Sequence, residues 1–128
     1  MMHSLVLVAV GGAVGACMRY GVGLAFTEHG GVSGAWATLF VNIAGSFALG
    51  ALMGWFASRE LAFENTLWLL VGVGMMGAFT TFSAFSRDTV DLFLTGEVMR
   101  GLIFAGLNLV GAISAFAIGL LALKRLLA

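Results

Sequence analysis

Charge is what this chain has least of. Only 9% of its 128 residues are Asp, Glu, Lys or Arg, against 61% hydrophobic, which leaves too few ionic groups to coat a soluble domain of this length. The chain is an integral membrane protein. Six basic residues balance six acidic ones, so there is no net charge to attract a polyanion, and nucleic acid is excluded as a partner. The one cysteine, Cys17, lies in an apolar run. It cannot close an intrachain disulfide, brings no metal-ligand set with it, and reads as a small buried hydrophobe. Neither a nucleophile-base pair nor a metal constellation is visible, which argues against an enzyme. Proline is absent, whereas glycine occurs nineteen times.

Uncharged runs divide the chain into four spans, each long enough for a hydrocarbon layer that needs about 20 apolar residues per helix. The first covers residues 4–27 and is interrupted only by Arg19; the second covers 33–57 without a charge. The third runs over 65–93, its last part more polar, and the fourth over 102–123, closed at a membrane surface by Lys124 and Arg125. No basic segment precedes the first span and glycines recur along it, so a removable signal peptide fits it poorly. The connectors are short and hold most of the charge: Glu28 and His29, then Arg59, Glu60 and Glu64, then Asp88 to Arg100. The reading is one all-α domain over residues 1–128, with no internal repeat.

Glycines predict close helix packing. Gly11 and Gly15, and again Gly50 and Gly54, recur every four residues, while Gly101, Gly106 and Gly111 recur every five; small residues let transmembrane backbones touch. Four short helices enclose little volume, so a solute path is expected where two subunits meet. The flanking charges agree with a paired assembly. With four spans both termini share a side, which places Arg59, Lys124 and Arg125 there and Arg19, Arg87 and Arg100 toward the other. A chain without that bias can insert both ways, and an antiparallel homodimer is the resulting hypothesis.

The most unusual stretch is Gly74-Met-Met-Gly-Ala-Phe-Thr-Thr-Phe-Ser-Ala-Phe-Ser86. Glycines, four hydroxyls and three phenylalanines sit in the middle of a membrane-length segment, and such a break is tolerated only where protein or a water-filled passage surrounds it. Asn42, Asn108 and Arg19 are among the other polar groups within the spans. An interhelical hydrogen bond for each amide and a snorkelling role for Arg19 are the structural alternatives to a pathway role. His3 and His29 fall at span ends and read as solvated.

None of the six carboxylates is placed deep in a span, and that absence separates mechanisms. Proton-coupled transport and cation export usually require an intramembrane acid. What remains is a passage lined by amide, hydroxyl and aromatic groups, which suits an anion: amides and hydroxyls donate hydrogen bonds, and aromatic rings present a positive edge. Phe82 and Phe85, three apart, share one helix face.

Three motifs resemble the Fluc fluoride ion channel (CrcB) family, and the match covers nearly the whole chain: Gly15-Ala-Cys-Met-Arg19, Thr38-Leu-Phe-Val-Asn42-Ile-Ala-Gly45, and Gly74 to Ser86. The resemblance implies a fluoride channel that lowers cytoplasmic fluoride by passive efflux. It also implies an antiparallel dual-topology homodimer in the cell inner (plasma) membrane, with two pores and a third helix broken at its centre. In that pattern Phe82 and Phe85 present ring edges to fluoride, Asn42 donates to it, and Thr81 and Ser83 support the path. The Gly77 and Thr80 carbonyls of both copies hold a structural sodium ion at the two-fold axis. Arg19 matches an arginine near the pore mouth, and Thr38 belongs with it as a vestibule residue. Ala78, Ala84 and Ala112 depart from the pattern; Ala112 stands where a serine is common, and Asn108, four residues earlier, is the candidate to extend the polar track. Two other classes compete: a small multidrug-type exporter, which needs a glutamate inside the first helix that this chain lacks, and a structural membrane subunit, which leaves the Phe/Thr/Ser cluster unexplained.

Overall fold

Backbone in lipid must satisfy its own hydrogen bonds, so long apolar runs free of proline fold as helices. The computed structural model describes residues 1–30, 34–62 and 65–127. Its elements are α1 (Met2–Gly30), α2 (Gly34–Ser58), a π-helical segment (Trp68–Met76) leading into a short α3 (Gly77–Phe79), α4 (Phe82–Leu94) and α5 (Val98–Leu126). Four stretches are long and apolar enough to cross a membrane: Met2–Glu28, Gly34–Ser58, Trp68–Leu94 and Val98–Leu126. Ser33 and Glu64 lie outside the described residues, as does the side chain of His29.

The polar helix expected to carry the third span to residue 93 is present, and within the charged stretch Asp88 to Arg100 the connector itself is only residues 95–97. α4 continues to Leu94 and stops where Gly96 turns left-handed at φ 80°. The Gly96 N–H donates to the Phe93 carbonyl at 3.2 Å and the Glu97 N–H to the Leu92 carbonyl at 2.9 Å, the paired closure of a glycine-ended helix. α5 then starts at once, with the Arg100 guanidinium donating to the Glu97 carboxylate one turn away.

Two glycine seams bring backbones together. In the first, Gly11 and Gly15 of α1 lie against the Leu70 and Met75 carbonyls, and Gly74 approaches the Val8 carbonyl from the facing helix. In the second, Gly50 and Gly54 of α2 lie against the Phe116 and Leu120 carbonyls, while Gly119 meets that of Phe47. The five-residue series in α5 divides: Gly101 faces the Phe93 ring, Gly111 meets Ile43, and Gly106 has open space around it. Side chains fill the rest through two small clusters, Leu39 with Phe85 and Phe104, and Val41 with Met76 and Phe79.

Much apolar surface stays exposed, including Val10, Val14, Phe47, Val110, Ile113 and Ile118. Lipid or another chain must cover it. Cys17 is exposed too, which corrects the expectation of a buried thiol: α1 packs against its neighbours through the glycine edge, and Cys17 falls off that edge.

A side chain at Gly15 has nowhere to go. Gly15→Val is expected to force the Met75 and Phe79 backbones aside at a cost of about 1–3 kcal/mol, read as a lowered melting temperature in detergent, whereas Gly106→Ala melts like the parent. Equal melting of both variants would contradict the seam.

Candidate functional site

The third crossing loses its helix at two threonines. Thr80 (φ −79°, ψ 157°) and Thr81 (φ −153°, ψ 117°) are extended between α3 and α4, and backbone groups there need partners from elsewhere. Asn42 supplies those of Thr81. Its Oδ1 accepts from the Thr81 N–H at 2.8 Å and its Nδ2 donates to the Thr81 carbonyl at 3.1 Å, so one side-chain amide pairs with Thr81 as a neighbouring strand would. The second N–H of the same Nδ2 donates to Asn108 Oδ1 at 2.9 Å. Asn108 is buried and donates in turn to the Phe104 carbonyl at 3.1 Å.

The threonine side chains complete the turn. Thr81 Oγ1 accepts from the Ala84 N–H at 3.1 Å and caps α4, and it lies 3.2 Å from the exposed Ser83 hydroxyl. Thr80 donates back to the Met76 carbonyl at 3.0 Å. Gly45 leaves room for this packing, since a methyl group there would overlap Thr80 and Phe79. Among the described residues no hydrogen bond reaches the Gly77 or Thr80 carbonyl, and none leaves the Phe82 or Ser83 backbone N–H.

Beside the break lies a cavity of about 230 Å³ lined by Asn42, Ser46, Thr80, Thr81, Phe82, Phe85, Asn108, Leu109, Ala112 and Ile113. The Phe82 and Phe85 rings stand 5.3 Å apart at 57°, and Phe85 continues to Phe104 at 5.9 Å. Phe85 is buried, whereas Phe82 is 72% exposed, too open for a phenyl ring with no further neighbour. Of the expected pore residues, Asn42, Thr81, Phe82, Phe85 and Asn108 therefore meet around one cavity; Ser83 stands just outside its lining. Gly77 is exposed one turn before the break.

A second crevice, about 420 Å³, holds Arg19, Thr38, Thr81 and Arg87. Thr81 lines both spaces. Arg19 braces the segment before the break, its Nε donating to the Ala78 carbonyl at 3.0 Å. Thr38 donates to Asp88 Oδ2 at 2.6 Å, and Arg87 donates to Asp88 Oδ1 through Nε at 3.0 Å and Nη2 at 2.7 Å. Asp88 lies in the more polar last part of the third span, near its Leu94 end, as the expected bounds 65–93 place it. Asp88 is 7% exposed inside the third crossing, and the hydroxyl and guanidinium that satisfy both its oxygens make its burial tolerable. Arg87 also lines a separate crevice together with Asp88 and Asp91, so at the crevice bordering Thr81 only the two guanidiniums carry charge.

Residues 6–120 match the profile of the family described as CrcB-like protein, Camphor Resistance (CrcB). The chain is 41% identical over 127 residues to a protein of Hyphomonas neptunium named Fluoride-specific ion channel FluC, covering 99% of this chain and 100% of that one. A protein of the same name from Sphingopyxis alaskensis is 43% identical over 125 residues, 98% of each chain. Another from Chelativorans sp. is 42% identical over 119 residues, 93% of this chain and 94% of the relative.

Two residues of the site escaped the sequence reading. Ser46 was legible as the next turn of α2 after Asn42; the Thr38–Asp88 bond joins residues fifty apart and has no local signal. The pairing at Asn42 makes a stability prediction. Asn42→Ala strips partners from Thr81 and Asn108 and is expected to cost about 1–3 kcal/mol for each group left unpaired, whereas Asn108→Ala leaves one Asn42 N–H unpaired and removes a second bond to the helical Phe104 carbonyl, and costs less. Thermal melts in detergent check the order, and an unchanged melt for Asn42→Ala would contradict the pairing.

Proposed function

Because this chain belongs to the CrcB family, we propose that it is a fluoride-selective ion channel of the cell inner membrane, lowering cytoplasmic fluoride by passive efflux. The reading follows from the name its relatives carry and rests most on one observation: an amide, hydroxyl and phenyl-lined cavity at the only extended step among the described residues of the third crossing. Its family is one of ion channels and not of enzymes.

The physical task is dehydration. Fluoride is small and tightly hydrated, and a narrow path must return most of the lost solvation while letting the ion leave. Asn42 has both N–H groups engaged, by Thr81 and by Asn108, so it acts first as the brace of the break and reaches an ion by exchanging its Asn108 partner. The free backbone N–H groups at the start of α4 add donors at the positive end of a helix, and the edges of Phe82 and Phe85 add a weak positive surface. Arg19 raises the local anion concentration at the neighbouring crevice, whereas the charge of Arg87 is offset by Asp88. Chloride is excluded by width and cations by the donor-lined wall.

Two antiparallel copies complete the pores. The exposed Phe82, Gly77 and apolar faces of the single chain support a partner that covers them, and the balanced flanking charges support insertion both ways. Each dimer then carries two pores, each built with a contribution from the partner. The Gly77 and Thr80 carbonyls, unpaired among the described residues, are hard oxygen donors that fit a sodium ion shared at the two-fold axis. When bound, that ion supplies a fixed, untransported positive charge near the anion path.

The test is fluoride-electrode recording of efflux from liposomes holding only this protein. Phe82→Ile, which removes a ring edge, is expected to slow efflux roughly three- to tenfold while the protein still elutes as the parent assembly. Parental efflux from Phe82→Ile would take this ring out of the path.

A further inference from the structure

Hydroxyls in these helices usually fold back onto their own backbone. Thr38, Ser86 and Thr89 each lie within hydrogen-bond distance of the carbonyl four residues earlier, at 3.3, 2.9 and 2.8 Å, the ordinary way a hydroxyl is satisfied within a membrane helix. Ser46 does not. It is half-buried in the middle of α2, and among the described residues its hydroxyl makes no hydrogen bond. It lines the cavity that also holds Asn42, Phe82 and Phe85.

Its position along the path follows from the register of two helices. Asn42 meets Asn108, Gly50 meets the Phe116 backbone and Gly54 that of Leu120, all at the same separation of 66 residues. α2 and α5 therefore run side by side in the same direction, and Ser46 falls across from Ala112, one turn beyond the paired amides. Ala112, with no polar side-chain atom, lines the same cavity. At that level α5 offers no donor, and the hydroxyl on α2 is the side-chain donor left to meet an ion.

We propose that Ser46 is an ion-coordinating hydroxyl of the path, handing fluoride on from the Asn42–Asn108 level to the next turn of the α2/α5 wall. This rests on the channel reading above. A hydroxyl bound to its own backbone would have to break that bond to accept the ion. Ser46 is free to rotate onto it, which makes the contact close without fixing the ion so firmly that it stays.

The experiment compares the full-length parent, Ser46→Ala and the double variant Ser46→Ala/Ala112→Ser in liposomes, with fluoride efflux and detergent melting measured on each. Ser46→Ala is expected to slow efflux about three- to tenfold with an unchanged melting temperature, since no internal bond is lost, and the double variant is expected to recover most of the rate by returning a hydroxyl to the opposite wall. Parental efflux from Ser46→Ala, a fall in its melting temperature matching the fall in rate, or a double variant no faster than the single one would each overturn the proposal. Parent liposomes that retain fluoride would instead overturn the channel reading itself, and this assignment with it.

Discussion

One side-chain amide holding two backbone groups of an extended threonine is the interaction on which this fold depends. A helix interrupted at membrane depth exposes N–H and C=O groups that water cannot reach, each costing several kcal/mol if left alone. Asn42 pairs with both groups of Thr81, and the surrounding residues make that possible. Gly45 lets Thr80 and Phe79 come close to α2, Arg19 takes up the Ala78 carbonyl, and Thr81 caps the helix that restarts after it. The break is thus braced at Thr81, while other backbone groups beside it keep no partner among the described residues, and polar groups gather around it because that is where helical backbone bonding stops.

On the proposed channel reading Asn42 has two duties that compete. An amide with all its hydrogens engaged is a poor free donor, so the bond to Asn108 is the natural one to yield when an ion arrives, since the bonds to Thr81 hold the backbone. Donors that carry no structural duty, the Ser46 hydroxyl and the first N–H groups of α4, complement it. Electrostatics follow a similar division of labour: Arg87 and Thr38 satisfy the Asp88 carboxylate, while Arg19 presents positive charge toward the crevice at Thr81.

Much of this was legible in the chain itself. Four spans follow from the spacing of rare charges, and the four-residue glycine pairs do mark the closest helix contacts, because a missing side chain matters most where two backbones touch. The gathering of Asn42, Thr81, Phe82, Phe85 and Asn108 was expected from the family resemblance, whereas the expense of polar groups in lipid pointed only to a lined passage or to interhelical bonds. Less legible were features set by tertiary contact. The π-helical turn over Trp68–Met76 has no periodicity signal in an almost uniformly apolar run. The exposure of Cys17 depends on which edge of α1 carries the glycines. Asp88 reads as a connector charge until Thr38, fifty residues away, is seen to reach it.

The central claim is that the wall around the break selects a small anion by returning its hydration. Reversal potential in a planar bilayer, with potassium fluoride on one side and potassium chloride on the other, tests it most directly. The account predicts a current that reverses near the potential set by fluoride alone; reversal near the chloride or potassium potential would contradict it.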